Sequence, residues 1–129
     1  MTIAFDALYT LADAAGKAAV KAASIVPMYV GTPKYPFGES EIDYNKPVEF
    51  IADGVCGFAW VNIKPGTNPF CKWLIKTGKA RKDEYYGGVT IWVSDYNQSM
   101  QKKEAYAGAF AAELRAAGFE RAYSASRMD

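Results

Sequence analysis

GFAWVNI, residues 57–63, alternates with the period of two that a β-strand imposes. Ala59, Val61 and Ile63 point to one side, and Phe58, Trp60 and Asn62 to the other. GVTIWVS, residues 88–94, repeats the arrangement with Val89, Ile91 and Val93 on an aliphatic face and Thr90, Trp92 and Ser94 on a mixed one. Between the two strands lies a short, well-punctuated helix. Asn68 suits its N-cap, Pro69 its first turn and Gly78 its exit. Phe70, Trp73, Leu74 and Thr77 share one side of it, and Lys72, Lys76 and Lys79 the opposite side. The apolar side is expected to dock on the aliphatic face of the sheet.

Working outward, Ser99 to Ala117 reads as a helix with Tyr106, Phe110, Leu114 and Ala117 as its stripe, widened by Ala105, Ala109, Ala112 and Ala116. Gly118 suits a left-handed C′ position, with Phe119 folding back onto Leu114. A last strand is expected over Arg121 to Arg127. Upstream, residues 3–25 read as a helix with Phe5, Leu8, Ala12, Ala15, Ala19 and Ala22 as the packing stripe, and Asp13 and Lys17 as an i,i+4 pair. Pro27 ends it. Pro27, Pro33, Pro36 and Pro47, with Gly31 and Gly38, mark residues 26–47 as an irregular loop, followed by a short strand near Val48–Ala52.

The order helix, loop, strand, helix, strand, helix, strand favours parallel pairing within the strand–helix–strand units of residues 57–127. A further short strand at Lys82–Tyr86 makes the second pair antiparallel. The expected class is therefore α+β: one domain, residues 1–129, with a three- to five-stranded mixed sheet and three helices in a single pair of layers, plus the long loop.

A chain of 129 residues, half of them hydrophobic, buries a core without staples. No obligatory metal, disulfide or cofactor is expected. The chain has no histidine, which removes Ser-His-Asp and Cys-His catalysis, HExxH zinc chemistry and imidazole pH switches. Its two cysteines, Cys56 and Cys71, form no CxxC pair and read as small buried hydrophobes. Asp6 and Asp13 interrupt the N-terminal apolar residues in a way a signal peptide does not, and no apolar run reaches the length of a membrane span. The expected location is the cytoplasm, with no membrane partner.

A net charge of +1 hides a strong asymmetry. Residues 64–82 carry Lys64, Lys72, Lys76, Lys79, Arg81 and Lys82 and no acid, whereas both flanking segments are net acidic. With Trp60, Trp92, Tyr85 and Tyr86 nearby, these six cations form the candidate surface for single-stranded nucleic acid: phosphates on the basic groups, bases on the rings. The competing interpretation is a core with solvated lysines. In it Trp73 packs with Phe70 and Leu74, and the alanine-rich first helix covers Trp60 and Trp92. What covers Phe58, Trp60 and Trp92 separates the two.

An enzyme interpretation rests on Asp53 followed by Asn62-Ile63-Lys64, which resembles the acid and acid-x-lysine of metal-dependent PD-(D/E)xK nucleases. Asn62 stands where the second acid belongs, a weaker metal ligand. Glu39, Glu41 and Asp43 form an acidic run without the spacing of a calcium loop, and no glycine-rich phosphate-binding motif occurs. No catalytic or metal-ligating residue is assigned. Nine tyrosines suit an interface. Association with a protein partner or with itself therefore ranks first, nucleic-acid binding second and a divergent nuclease-like enzyme third.

DGVCGFAWVNIKPGTNPF at 53–70, YYGGVTIWVSDYNQSMQKKEAYAGAFAAELRAAG at 85–118, PMYVGTP at 27–33 and the terminal SASRMD resemble parts of small uncharacterised proteins of tailed bacteriophages. The resemblance covers roughly residues 27–129. It implies an accessory or virion-associated protein made in a bacterial cytoplasm, and it carries no catalytic or binding residues with it.

Overall fold

The structure is a computed structural model that describes residues 4–31 and 42–129. Its elements are α1 (Phe5–Ala22), β1 (Met28–Gly31), β2 (Val48–Ile51), β3 (Gly57–Ile63), α2 (Pro69–Lys76), β4 (Arg81–Lys82), β5 (Val89–Trp92), α3 (Met100–Ala116) and β6 (Ala122–Met128). The fold is α+β: three helices, a four-stranded sheet in the order β4-β5-β3-β6 and a separate β1-β2 hairpin.

Every neighbouring pair in the sheet is antiparallel, where a mixed sheet was expected. The strand–helix–strand units do join strands of the same direction, but each crossover skips one position. β5 lies between β3 and β4, and β3 lies between β5 and β6. This is the split βαβ connectivity.

Strand alternation fixes which face is covered. Ala59, Val61 and Ile63 are fully buried, and Val89, Ile91 and Val93 nearly so. Phe70, Cys71 and Leu74 of α2 and Ala107, Phe110, Ala111 and Leu114 of α3 complete that core. Each large side chain buried there contributes about 1.5–3 kcal/mol by leaving water. α1 joins through the helix layer. The Phe5 ring lies 5.5 Å from Phe70 and 6.1 Å from Trp73, and the Tyr9 ring lies 5.3 Å from Phe110. These partners occupy α1 on the helix side of the sheet, so it does not cover Trp60 and Trp92.

The helix ends follow their sequence signals. Asn68 Oδ1 accepts the Phe70 N–H at 2.8 Å, and Ser99 Oγ accepts the Lys102 N–H at 3.3 Å. Both α2 and α3 close in Schellman motifs. Lys79 N–H reaches the Leu74 carbonyl and Phe119 N–H reaches another, that of Leu114, across Gly78 and Gly118, which have φ of +73° and +107°.

Several expectations shift. α1 is shorter than residues 3–25, and its buried row is Leu8, Ala12 and Gly16 rather than the Ala15 and Ala19 row. The cause is Tyr106. Its hydroxyl donates to Asp13 Oδ1, and its ring lies where a Cβ on residue 16 would be, 2.5 Å away. In α3 the row beside Tyr106, Phe110 and Leu114 is Lys103, Ala107 and Ala111, not Ala105, Ala109, Ala112 and Ala116. Lys103 Nζ donates to the Gly57 carbonyl at 3.1 Å and holds that flank on β3. The 26–47 loop contains β1, which pairs Met28 with Ile51 through Gly31 with Val48, because Pro27 is tolerated just ahead of a strand start. Lys82–Tyr86 contributes only the end of β4 before the chain turns. Ile3, Pro33, Pro36, Gly38, Glu39 and Glu41 lie outside the described residues. No helix among the described residues is long and apolar enough to cross a membrane.

Gly16→Ala tests the α1–α3 contact. Helix propensity favours alanine by about 1 kcal/mol. Crowding a packed contact costs about 1–3 kcal/mol. Crowding is expected to win, giving a lower urea midpoint at unchanged slope; a raised midpoint would show that the Tyr106 ring yields.

Candidate nucleic-acid interface

Residues directly opposite each other across an antiparallel pair share a face. The register sets Trp60 opposite Trp92 and Asn62 opposite Thr90. It also sets Thr90 opposite Arg81, and Phe58, Trp60 and Asn62 opposite Arg127, Ala125 and Tyr123. These residues form the sheet face away from the helices. At its centre the indole rings of Trp60 and Trp92 lie parallel within 1°, with centroids 5.6 Å apart. Trp92 is 39% exposed and Trp60 only 9%, so Trp92 presents the accessible ring and Trp60 lies recessed beside it. The Phe58 ring is 5.5 Å from Trp92, with the Arg127 guanidinium 5.5 Å above it. Lys103 reaches the same ring from α3 at 5.4 Å.

A cleft of about 700 Å³ opens on this face. Trp60, Trp92 and Thr90 line its floor, Arg81, Lys82, Tyr85 and Tyr86 one side and Arg127 the other, with Asp83 and Glu84 in the wall. Asp83 builds that wall. Its Oδ1 accepts the N–H groups of Tyr85 at 2.9 Å and Tyr86 at 2.8 Å, and its Oδ2 accepts the Thr90 hydroxyl at 2.7 Å. The Thr90 hydroxyl and the Tyr86 and Tyr85 N–H groups hold its carboxyl below the usual value, against a smaller opposing effect of burial. The turn then depends on Gly88. Its φ is +66°, and a Cβ there would lie 2.2 Å from the Ile63 carbonyl oxygen. Asn62 Nδ2 fastens the turn to β3 by donating to the carbonyls of Gly87 at 2.9 Å and Val89 at 3.3 Å.

Of the ten residues singled out from the sequence, Trp60, Trp92, Arg81, Lys82, Tyr85 and Tyr86 line the one cleft. Lys64 runs beside Gly87 and Gly88 and does not line the cleft, although its charge helps lower the pKa of Asp83. Lys72 and Lys76 are exposed on α2, with the sheet between them and the cleft. Lys79 does not line the cleft; its Nζ is 5.5 Å from the Tyr9 ring and 5.2 Å from Trp73, and it borders a neighbouring hollow of about 400 Å³ with Arg81, Thr90 and Trp92. None of the six cations pairs with a carboxylate of the described residues. Arg127 was missed. Its signal was the alternation of the last strand, but only the β3–β6 register sets it beside Phe58.

The nuclease-like residues do not meet. Asp53 pairs with Lys102, and its carbonyl accepts the Ser99 hydroxyl at 2.8 Å, before β3 begins; Asn62 and Lys64 lie at the far end of β3. No group of three Cys, Asp or Glu residues able to hold a metal occurs among the described residues. Asp43 Oδ1 accepts the Asn45 N–H at 3.0 Å, a local turn contact. Cys71 is buried as expected, and Cys56 only partly. Burial pushes the Cys71 thiol up to about 11, so it stays protonated and unreactive at neutral pH.

Two measurements follow from this geometry. Because the folded-state pKa of Asp83 lies below its ordinary 3.8, the ionised carboxylate contributes stability that is complete above that ordinary value. That contribution disappears as pH falls through the lowered value. Amide protection at Tyr85 and Tyr86 is expected to drop there, and to drop at neutral pH in Asp83→Ala, while protection in β3 persists. Separately, a thiol reagent at neutral pH is expected to label Cys56 alone in the native protein and both cysteines after denaturation. Native labelling of Cys71 would contradict its burial.

No protein family, curated protein or solved structure matches the chain, so the face is interpreted from its own chemistry.

Proposed function

We propose that this protein binds single-stranded nucleic acid on the open face of its sheet. The observation that carries this reading is the parallel Trp60–Trp92 pair at the centre of a face that no helix of the described residues covers, with Arg81 and Arg127 around it. An exposed indole accepts any unstacked base, at about 1–3 kcal/mol per base. Guanidinium groups bind phosphate oxygens through paired N–H donors. β3 and β5 are the two central strands, and four-stranded sheets that read single-stranded RNA carry their stacking aromatics on the sheet face. Asp83 and Glu84 repel phosphate at one wall, which favours a backbone course along the Arg127 side.

This reading moves ahead of protein association because Trp60 and Trp92 are free of α1. Protein association is the second reading. It is supported by the β1-β2 hairpin, where Tyr29, Val30 and Phe50 are exposed and none belongs to the buried core. Under either reading, the resemblance to phage proteins is consistent with an accessory role in a bacterial host or on a virion.

Titrating tryptophan fluorescence with oligo(dT) and oligo(U) tests the first reading. Binding should weaken steeply with salt. Trp92→Ala is expected to weaken it about 5- to 150-fold, matching the loss of one stacked base. Arg81→Ala and Arg127→Ala should each reduce the log–log salt slope by about 0.7. Lys72→Glu with Lys76→Glu should leave affinity nearly unchanged. Absence of binding at low salt would rule the reading out, and loss only in the lysine double variant would move the site to α2.

A further inference from the structure

Among the described residues β6 ends the sheet, and the edge it leaves open is long. Tyr123 through Met128 are all exposed. The opposite edge strand, β4, has only two residues. Sheets that stay monomeric blunt a long edge with proline, charge or a bulge. β6 has neither proline nor bulge in its pairing with β3, and Arg127 is its one charge.

The direction of its free backbone groups follows from its ends. Asp129 N–H donates to the Cys56 carbonyl at 3.1 Å, and Lys64 N–H donates to the Arg121 carbonyl at 3.3 Å. Odd-numbered residues therefore face β3, and the N–H and C=O groups of Ala122, Ser124, Ser126 and Met128 point outward. Two of these eight groups are already taken at the end of the strand, where the Ala122 N–H donates to the Phe119 carbonyl at 3.1 Å and Arg115 Nη1 donates to the Ala122 carbonyl at 2.8 Å.

We propose that two copies of this chain pair β6 to β6, antiparallel about Ala125, and join their sheets into one of eight strands. The strand complements itself in that register. Ser124 meets Ser126 of the second copy in hydrogen-bonded pairs on the helix side. Ala125 meets its own copy at the two-fold axis, in the closer non-hydrogen-bonded geometry that a methyl group fits. Tyr123 faces Arg127 of the second copy on the open side, an aromatic–cation pair, and no like charges meet. Sliding two residues one way sets Arg127 against Arg121 of the second copy, and sliding two the other way sets it against Ala125 and forfeits its contact with Tyr123. This inference does not depend on nucleic-acid binding.

Sedimentation across a dilution series, with directed crosslinking, tests it. The native chain is expected to sediment as a dimer that dissociates on dilution. Ser126→Pro removes an outward N–H at an edge that otherwise tolerates proline, and is expected to give a monomer. In a Cys56→Ser background, Ala125→Cys is expected to form a disulfide-linked dimer. Its two Cα atoms would lie about 4.5 Å apart. Disulfides span Cα separations of roughly 4.4–6.8 Å. Arg127→Cys, which faces Tyr123 of the second copy, should not crosslink. A monomer at every concentration, or crosslinking as ready at 127 as at 125, overturns the proposal. A dimer indifferent to Ser126→Pro and silent at 125 assigns association to another surface. If Ser126→Pro fails to fold, the crosslinking pair decides alone.

Discussion

β3 pairs on both edges, and its side chains must alternate. Burying Ala59, Val61 and Ile63 under α2 and α3 obliges Phe58, Trp60 and Asn62 to emerge on the opposite face. β5 repeats the choice, and the register stacks Trp60 beside Trp92 rather than beside Thr90. A slip of one residue in either strand would exchange core and surface along its whole length. The core thus holds the open face in place: the hydrophobic gain on one side fixes the aromatic display on the other.

Polar contacts refine what the core positions. Asn62 lies on the open face yet turns its amide to two backbone carbonyls, which locks the turn after β4 against β3. Asp83 gathers two backbone N–H groups and a hydroxyl into the same turn. Asn62, the position that the nuclease-like interpretation gave to a metal ligand, and Asp83 are thereby occupied in shaping one wall of a cleft. Their hydrogen-bond capacity is satisfied locally, and Tyr85 and Tyr86 are held out from the sheet as a result.

Local signals in the sequence were strong where a residue's role depends on its immediate neighbours. The cap at Asn68, the glycines at 78 and 118 and the two alternating strands were all legible, because each is decided within a few residues. Helix faces were less so. Leu8 and Ala12 were placed correctly, but the third member of the row, Gly16, is chosen by the ring of Tyr106 some ninety positions away. Strand order was not legible at all, since nothing in GVTIWVS announces that it inserts between β3 and β4. The basic run of 64–82 failed as a single patch for the same reason. It passes through α2, which covers one face of the sheet, and then into β4, a strand of the sheet itself whose Arg81 shares the opposite face with Thr90. Arg127 joined the face only through the last strand's register.

The skipped connections have a consequence for how the chain acquires this shape. β3 has no hairpin partner. Its neighbours arrive about thirty and sixty positions later in sequence, so the central strand closes contacts of high sequence separation, which slow folding through loop-closure entropy. During ribosomal synthesis one edge of β3 stays bare until β6 has emerged, with the indole of Trp60 beside it. Until then, nascent-chain chaperones have a stretch of β-prone, aromatic sequence to shield.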